Sequence, residues 1–216
     1  MNDLFAGLEP QAARQDMTEG AVLMRARALP QADQLLADIQ RISSLAPFRH
    51  MVTPGGFAMS VAMTNCGTYG WITDRRGYRY EEQDPLTGRD WSPMPQSFLS
   101  LAAKAAEEAG YPDFLPNACL INRYEPGAKM ALHQDKDEKD FSMPIVSVSL
   151  GLPVAFQFGG AKRTDPVVKH QLQHGDVVVW GGPSRLFFHG VLTLRNGVHE
   201  KAGSYRYNLT FRHVVL

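Results

Sequence analysis

Ala118-Cys-Leu-Ile-Asn-Arg-Tyr124 is where the periodicity of the chain changes to two. Leu120, Asn122 and Tyr124 fall on one side of a strand, and Cys119, Ile121 and Arg123 on the other. Beyond it, strands are predicted at 144–151, 153–158, 175–180, 185–191 and 205–215, separated by Gly and Pro turns. Many short strands in succession predict a sandwich or jelly-roll barrel. Before residue 118 the pattern differs. Ala32, Leu35, Leu36, Ile39, Ile42 and Leu45 are spaced for a helix over 30–45. An alanine-rich segment stopped by Gly110 and Pro112 predicts a second helix over 95–109. Between the helices, from Thr53 to Trp91, the chain is rich in Gly, aromatic and Arg residues, with β-like runs at Phe57 to Met63 and Tyr78 to Tyr80. Loops of that kind often carry binding surfaces. The expected class is mainly β (α+β). Residues 1–116 read as an N-terminal extension with helices and 117–216 as the jelly-roll core, one compact domain overall.

Composition sets outer limits. At 216 residues, 44% hydrophobic and 20% charged, the chain is sized for one globular domain. Cys66 and Cys119 are too few for a disulfide framework or a thiolate zinc site. Met1-Asn-Asp-Leu-Phe-Ala-Gly7 has no basic segment leading into an apolar run, so no secretory signal is expected. No apolar stretch approaches the roughly 20 residues that span a bilayer, so a cytoplasmic protein without a membrane partner is expected. Twenty-two basic residues balance 22 acidic ones, so a nucleic-acid partner would be held by a local patch.

The chemistry concentrates in the second half. His133-Gln-Asp135 places an imidazole and a carboxylate on one side of an extended segment, where both can reach one ion. His189 adds a second imidazole. Two histidines and one carboxylate form the facial triad of non-haem Fe(II) oxygenases. The pattern His-x-Asp is weak alone, and the chain contains a second copy, His174-Gly-Asp176. That copy runs straight into Val177-Val-Val-Trp180 and reads as a hairpin turn feeding a buried strand. Between Asp135 and His189 there is room for three or four strands returning the chain to the same mouth. His50, His170, His174, His199 and His213 read as structural or surface residues.

Arg206, Asn208, Thr210 and Arg212 alternate, so one strand face is wholly polar. The bland reading is a solvated outer face on an edge strand. Placed soon after His189, the same face suits a dicarboxylate co-substrate, with the two arginines about 20 Å apart by strand rise. A planar guanidinium meets a carboxylate with two parallel hydrogen bonds. Asn122 and Tyr124 would add neutral hydrogen bonds to the same acid.

Taken together, Asn122-Arg-Tyr124, His133-Gln-Asp-Lys-Asp137, His189-Gly190 and Arg206-Tyr-Asn-Leu-Thr-Phe-Arg212 resemble the AlkB family of 2-oxoglutarate-dependent nucleic-acid dealkylases. The likeness extends from about Pro47 to Arg212, and the run Met51 to Gly67 resembles the family's nucleotide-recognition lid. It implies a double-stranded β-helix with N-terminal helices and that lid, holding Fe(II) through His133, Asp135 and His189. Arg206, helped by Asn208 and Tyr124, would pair with the distal carboxylate of 2-oxoglutarate. Arg212 and Asn122 would lie toward its iron-chelating end.

The implied reaction consumes O2 and 2-oxoglutarate, hydroxylates a methyl group on a ring nitrogen and releases formaldehyde, succinate and CO2. The substrates implied are 1-methyladenine- and 3-methylcytosine-type lesions in single-stranded or flipped-base DNA, or in RNA, repaired by a monomer. A buried iron cannot reach a stacked base, so the base must be extruded. By the same resemblance Trp71 would stack on that base opposite His133, Tyr78 would contact the adjacent phosphate, Asp137 an exocyclic amine and Arg163 the substrate strand. Arg75, Arg76, Lys129 and Lys136 are looser phosphate candidates. Two other readings use the same residues: an oxygenase acting on a protein or small molecule, and a jelly-roll binding module with an accidental triad.

Overall fold

The computed structural model describes residues 13–215, so the segment from Met1 to Gly7 read for a secretory signal lies outside them. Strands β1 (Arg14–Thr18) and β2 (Ala21–Met24) are followed by α1 (Ala32–Leu45), entered through a 3-10 turn at Leu29–Gln31. Next come β3 (Arg49–Val52), β4 (Ala58–Gly67), the hairpin of β5 (Gly70–Asp74) with β6 (Gly77–Glu81), and the short pair β7 (Gln83–Asp84) and β8 (Arg89–Asp90). Helix α2 (Gln96–Glu108) closes this half. The second half holds β9 (Ala118–Tyr124), β10 (Met130–His133), β11 (Ile145–Gly151) and β12 (Val154–Phe158). It ends with β13 (Val168–Leu172), β14 (Val177–Trp180), β15 (His189–Val191) and β16 (Arg206–Arg212).

An eight-stranded antiparallel sheet, in the order β1-β2-β14-β11-β16-β9-β4-β3, packs on a four-stranded sheet ordered β10-β15-β12-β13. This is the jelly-roll expected from the short strands. The large sheet takes β1 to β4 from residues 1–116 and β9, β11, β14 and β16 from 117–216, so both segments share one sheet. Strict alternation along its central strands gives it two buried faces. On one, Ile121, Val146, Val148, Leu209 and Phe211 pack against Leu35, Ile39, Phe98 and Leu101 of the two helices. On the other, facing the small sheet, Leu120 and Tyr124 join Phe156, Phe158 and Trp180. The polar residues that alternate with the first set therefore point between the sheets.

Both helices form where predicted. Asp38, buried in α1, accepts hydrogen bonds from Ser97 Oγ on α2 (2.6 Å), Arg41 (3.0 Å) and Gln34 (3.1 Å). Burial opposes its ionisation, but these donors hold its carboxyl below the ordinary value. Asp38→Ala is expected to lower unfolding stability by about 1–3 kcal/mol, the loss for stranding buried donors, read from the denaturant midpoint.

Several strand predictions need correction. The strand expected over 185–191 is confined to His189–Val191, because the turn that begins at Gly182–Ser184 continues through hydrogen bonds from Arg185 N to the Gly182 carbonyl (3.1 Å) and from Phe187 N to the Ser184 carbonyl (2.9 Å). The strand over 205–215 stops at Arg212, where the Asn117 side chain takes over the backbone of Val214 on both sides (2.8 Å each). Strand β1 carries mostly exposed polar residues, and β13 has only His170 and Leu172 on a buried face, so neither is predicted.

The turn at His174-Gly-Asp176 is real, but it joins the two sheets rather than closing a hairpin within one. Asp176 is spent on the Ala26 and Gln173 amides (2.9 Å each) and Arg25 (2.7 Å), and His174 Nδ1 accepts from the Gly151 amide (2.9 Å). Asp176 is committed to the turn, and His174 and Asp176 belong to no metal-sized group of ligands among the described residues. Gly175, at φ +87°, is pressed so closely by Leu29 that any side chain there would clash.

Candidate active site

His133 and His189 face each other because β10 and β15 pair in register at these two residues. Gly190 permits the approach, since a Cβ there would lie 2.8 Å from the Met130 carbonyl oxygen. Four strands, β11 to β14, fill the interval between Asp135 and His189, as the spacing required. Asp135 sits just past the end of β10, with Oδ1 3.5 Å from His133 Nε2 and Oδ2 3.7 Å from His189 Nε2. One ligand atom from each of the three lies within 4.8 Å of the others.

Each imidazole is oriented through its other nitrogen. His133 Nδ1 is 2.9 Å from the Ala131 carbonyl and His189 Nδ1 is 3.0 Å from that of Phe187, so each donates there and turns the Nε2 lone pair inward. Burial and the neighbouring His133 push the His189 imidazole down to about 4, so it is neutral at neutral pH. Burial also opposes charge on Asp135, yet Arg212 and His133 keep it ionised well below the ordinary carboxylate range. At His133 burial works against the charged form, but the Asp135 carboxylate outweighs it and raises the imidazole above its ordinary value, so metal binding there would displace a proton.

The alternating face of β16 is not a solvated edge. The strand lies between β11 and β9, pairing Arg206 with Tyr124 and Asn208 with Asn122. Arg206, only 1% exposed, lies over the Tyr124 ring (4.9 Å) and donates to Ser149 Oγ (2.9 Å). Its Nε and Nη1 have no partner. A buried guanidinium with two unmet donor nitrogens is suited to receive a carboxylate. Asn208 Nδ2 donates to Ser147 Oγ (2.8 Å) and the Val148 carbonyl (3.1 Å), while its Oδ1 receives Asn122 Nδ2 (3.2 Å) and Thr210 Oγ1 (3.0 Å). Arg212 is engaged at the other end, through Nη2 (2.6 Å) and Nε (3.2 Å) to Asp135 Oδ2.

These groups line one cavity of about 490 Å³, which also reaches Trp71, Tyr78, Asp137, Lys136 and Arg163. Trp71 and Tyr78, on the two strands of the β5–β6 hairpin, stack with ring centroids 5.7 Å apart and planes at 18°. The Trp71 indole N–H donates to Asp137 Oδ2 (2.7 Å), and Arg163 lies over the Phe188 ring (5.0 Å). Of the looser basic candidates, Arg76 is paired with Asp74 at 3.2 Å.

Five residues around the site went unread in the sequence. Glu138 and Arg185, each 3% exposed, form a buried pair at 3.1 Å, and the hydroxyl of Tyr80 donates to Glu138 Oε1. Glu138 is hidden in the charged run Asp135-Lys-Asp-Glu-Lys-Asp140, and nothing in that run marks it as buried. Ser147 and Ser149 were legible in principle, as polar residues two apart in an otherwise apolar strand.

The sequence profile described as the 2OG-Fe(II) oxygenase superfamily matches residues 21–212. The alpha-ketoglutarate-dependent dioxygenase AlkB of Escherichia coli (strain K12) is 59% identical over 212 residues, covering 98% of this chain and 97% of that protein. The chain belongs to the AlkB family. As an AlkB-type enzyme it is an Fe(II)/2-oxoglutarate-dependent dioxygenase, using O2. A more distant relative, the DNA N(6)-methyladenine demethylase ALKBH1C of Arabidopsis thaliana, is 33% identical over 62% of this chain and 35% of its own length. The solved structure of OsALKBH1 superposes with a TM-score of 0.79 at 28% identity, covering 93% of this chain and 99% of that one.

The residues present fit both groups the AlkB family uses. The His133, Asp135 and His189 donors converge on one point with the right ligand chemistry for Fe(II). The unmet donors of Arg206 offer a carboxylate two hydrogen bonds in a buried setting. Bound together with O2, iron and 2-oxoglutarate supply oxidative decarboxylation to succinate and CO2, coupled to hydroxylation of a C–H bond.

Proposed function

We propose that this AlkB-family enzyme demethylates N-alkylated bases of the 1-methyladenine and 3-methylcytosine type in nucleic acid, releasing formaldehyde and restoring the base. The observation that carries the reading is the mouth of the iron cavity, where Trp71 offers an aromatic face, Asp137 a carboxylate and Arg163 a cation. Such methylation gives the base ring a positive charge, which an aromatic face and a carboxylate both favour. A neutral small metabolite would have no use for that set, and the Arabidopsis relative is itself named for a methylated DNA base.

In this reading His133, Asp135 and His189 hold the metal. Arg206, Asn208 and Tyr124 hold the distal end of 2-oxoglutarate, with Asn122 and Arg212 toward its other end. Trp71 stacks on the extruded base, Asp137 exchanges its bond to the Trp71 indole for one to an exocyclic amine, and Tyr78 and Arg163 contact the strand. The region up to residue 116 supplies the lid that receives the base, and 117–216 the oxidative core. Single-stranded DNA, which needs no unpairing before extrusion, is the favoured substrate, with RNA open to the same chemistry. Work as a monomer in the cytoplasm belongs to the proposal. No helix among the described residues is long and apolar enough to cross a membrane.

A panel of methylated and unmethylated DNA and RNA oligonucleotides, scored for formaldehyde, tests the assignment. Methylated single strands should release it and unmethylated ones should not. Trp71→Ala is expected to raise the KM for the oligonucleotide by about 5- to 150-fold, the loss of 1–3 kcal/mol of stacking, with iron content unchanged. Equal loss of iron in Trp71→Ala and Asp135→Ala would contradict the stacking role.

A further inference from the structure

Behind the iron ligands lies a closed group of charges that the oxygenase chemistry does not by itself require. Glu138 Oε1 receives the Tyr80 hydroxyl and lies 3.3 Å from Arg212 Nε as an ion-pair contact, and its Oε2 receives Arg185 (3.1 Å). Arg212 also holds the Asp135 carboxylate, and Arg185 donates to the Asp135 backbone carbonyl (2.8 Å) and the Met143 carbonyl (3.1 Å). Two carboxylates and two guanidiniums are thus balanced in the interior. One of the carboxylates is an iron ligand.

Tyr80 is what makes this more than a buried ion cluster. It belongs to β6 and is the register partner of Trp71 on β5. The two residues grip consecutive positions of the ligand loop, Trp71 through Asp137 and Tyr80 through Glu138. Tyr80 and Arg212 share a single oxygen, Glu138 Oε1. A shift of the hairpin that changes the Tyr80 bond therefore changes the negative charge that Glu138 Oε1 presents to Arg212, and with it the pull of Arg212 on Asp135. We propose that Tyr80 and Glu138 are positioning residues that couple occupancy of the Trp71 hairpin to the metal-binding carboxylate of Asp135. The inference rests on the nucleic-acid reading, because it takes an extruded base as what occupies the hairpin.

The signs follow from charge. Without the Glu138 carboxylate, the Arg212 charge rests on the Asp135 carboxylate alone, leaving it a poorer ligand. Tyr80→Phe removes only one hydrogen bond and tests the link without altering the charge balance. By linkage, whatever factor the substrate applies to metal affinity, the metal applies to substrate affinity.

The test is a titration of Mn(II), which accepts the same oxygen and nitrogen ligands. It is run anaerobically with 2-oxoglutarate, with and without a saturating methylated trinucleotide, on the wild type, Tyr80→Phe and Glu138→Gln. Oligonucleotide binding is followed separately by fluorescence anisotropy. The wild type should show a metal Kd that differs between the two conditions by about 5-fold or more, within the usual range of coupling. Tyr80→Phe should bind both ligands and bring that ratio below about twofold, a loss of most of the wild-type factor. Glu138→Gln should weaken Mn(II) by about 10- to 100-fold without the oligonucleotide, the usual effect of disturbing groups behind a metal ligand.

A merely structural role for Tyr80 would lower the melting temperature but leave the ratio intact. Binding of the trinucleotide with no effect on the metal Kd in the wild type, or an unchanged ratio in Tyr80→Phe, overturns the inference alone. Failure of the wild type to bind the trinucleotide overturns the nucleic-acid reading and the inference with it.

Discussion

Asp135→Ala is expected to lose metal binding and turnover together, and to destabilise the metal-free protein as well. The first loss follows from geometry, since Asp135 is the only carboxylate of the triad. The second follows from its burial against Arg212, whose Nη2 lies 2.6 Å from Oδ2. Removing one member of a buried ion pair costs about 3–5 kcal/mol, because the other charge stays behind. Arg212 keeps Glu138 at 3.3 Å, which places the expected loss near the lower end, about 3 kcal/mol. Denaturant unfolding of the metal-free variant and calorimetric titration with Mn(II) read the two effects separately. A variant that keeps its metal affinity would remove Asp135 from the triad.

Arg206→Met should behave in the opposite way when no ligand is present. The Arg206 guanidinium is fully enclosed, with two donor nitrogens unmet, and burial pushes its pKa below the ordinary value. A methionine fills similar space without that desolvation, so the ligand-free variant should be as stable as the wild type or more so. Its affinity for 2-oxoglutarate should fall by about 30- to 5,000-fold, the equivalent of 2–5 kcal/mol for truncating one partner of a buried charge pair. The contrast appears in thermal melts. Wild-type protein at 2-oxoglutarate 100 times its Kd gains about 2.7 kcal/mol, and the variant gains almost none at the same concentration. An Arg206→Met protein that still melts higher with 2-oxoglutarate would place the distal carboxylate elsewhere.

The sequence was most legible where periodicity and chemistry coincide. Leu120, Asn122 and Tyr124 were assigned to one face of a strand, and they do line the cavity. The polar face of Arg206 to Arg212 had a stronger bland reading as a solvated edge. Only pairing to strands on both sides turns those residues inward, and such long-range pairing is invisible along one strand. Both helices were readable because their apolar stripes repeat over several turns, with Gly110 at φ +94° ending the second.

What stayed hidden has a common cause. Strand β13 buries only His170 and Leu172, and a face made by one histidine and one leucine is too short to read as a strand. Glu138 is buried by contacts from Tyr80, Arg185 and Arg212, which lie 58, 47 and 74 positions away in the chain. A carboxylate that owes its burial to three distant partners looks, in sequence, like its solvated neighbours. The triad escaped this problem because two ligands are two residues apart and the third follows a countable number of strands.

The most direct measurement follows both products in one reaction. A single-stranded oligonucleotide carrying one 1-methyladenine is incubated with the enzyme, Fe(II), ascorbate and 2-oxoglutarate, and succinate is compared with unmodified adenine by mass spectrometry. Loss of the methyl group in step with succinate, one for one, is the predicted result. Succinate accumulating while the methyl group stays on the base would contradict the account.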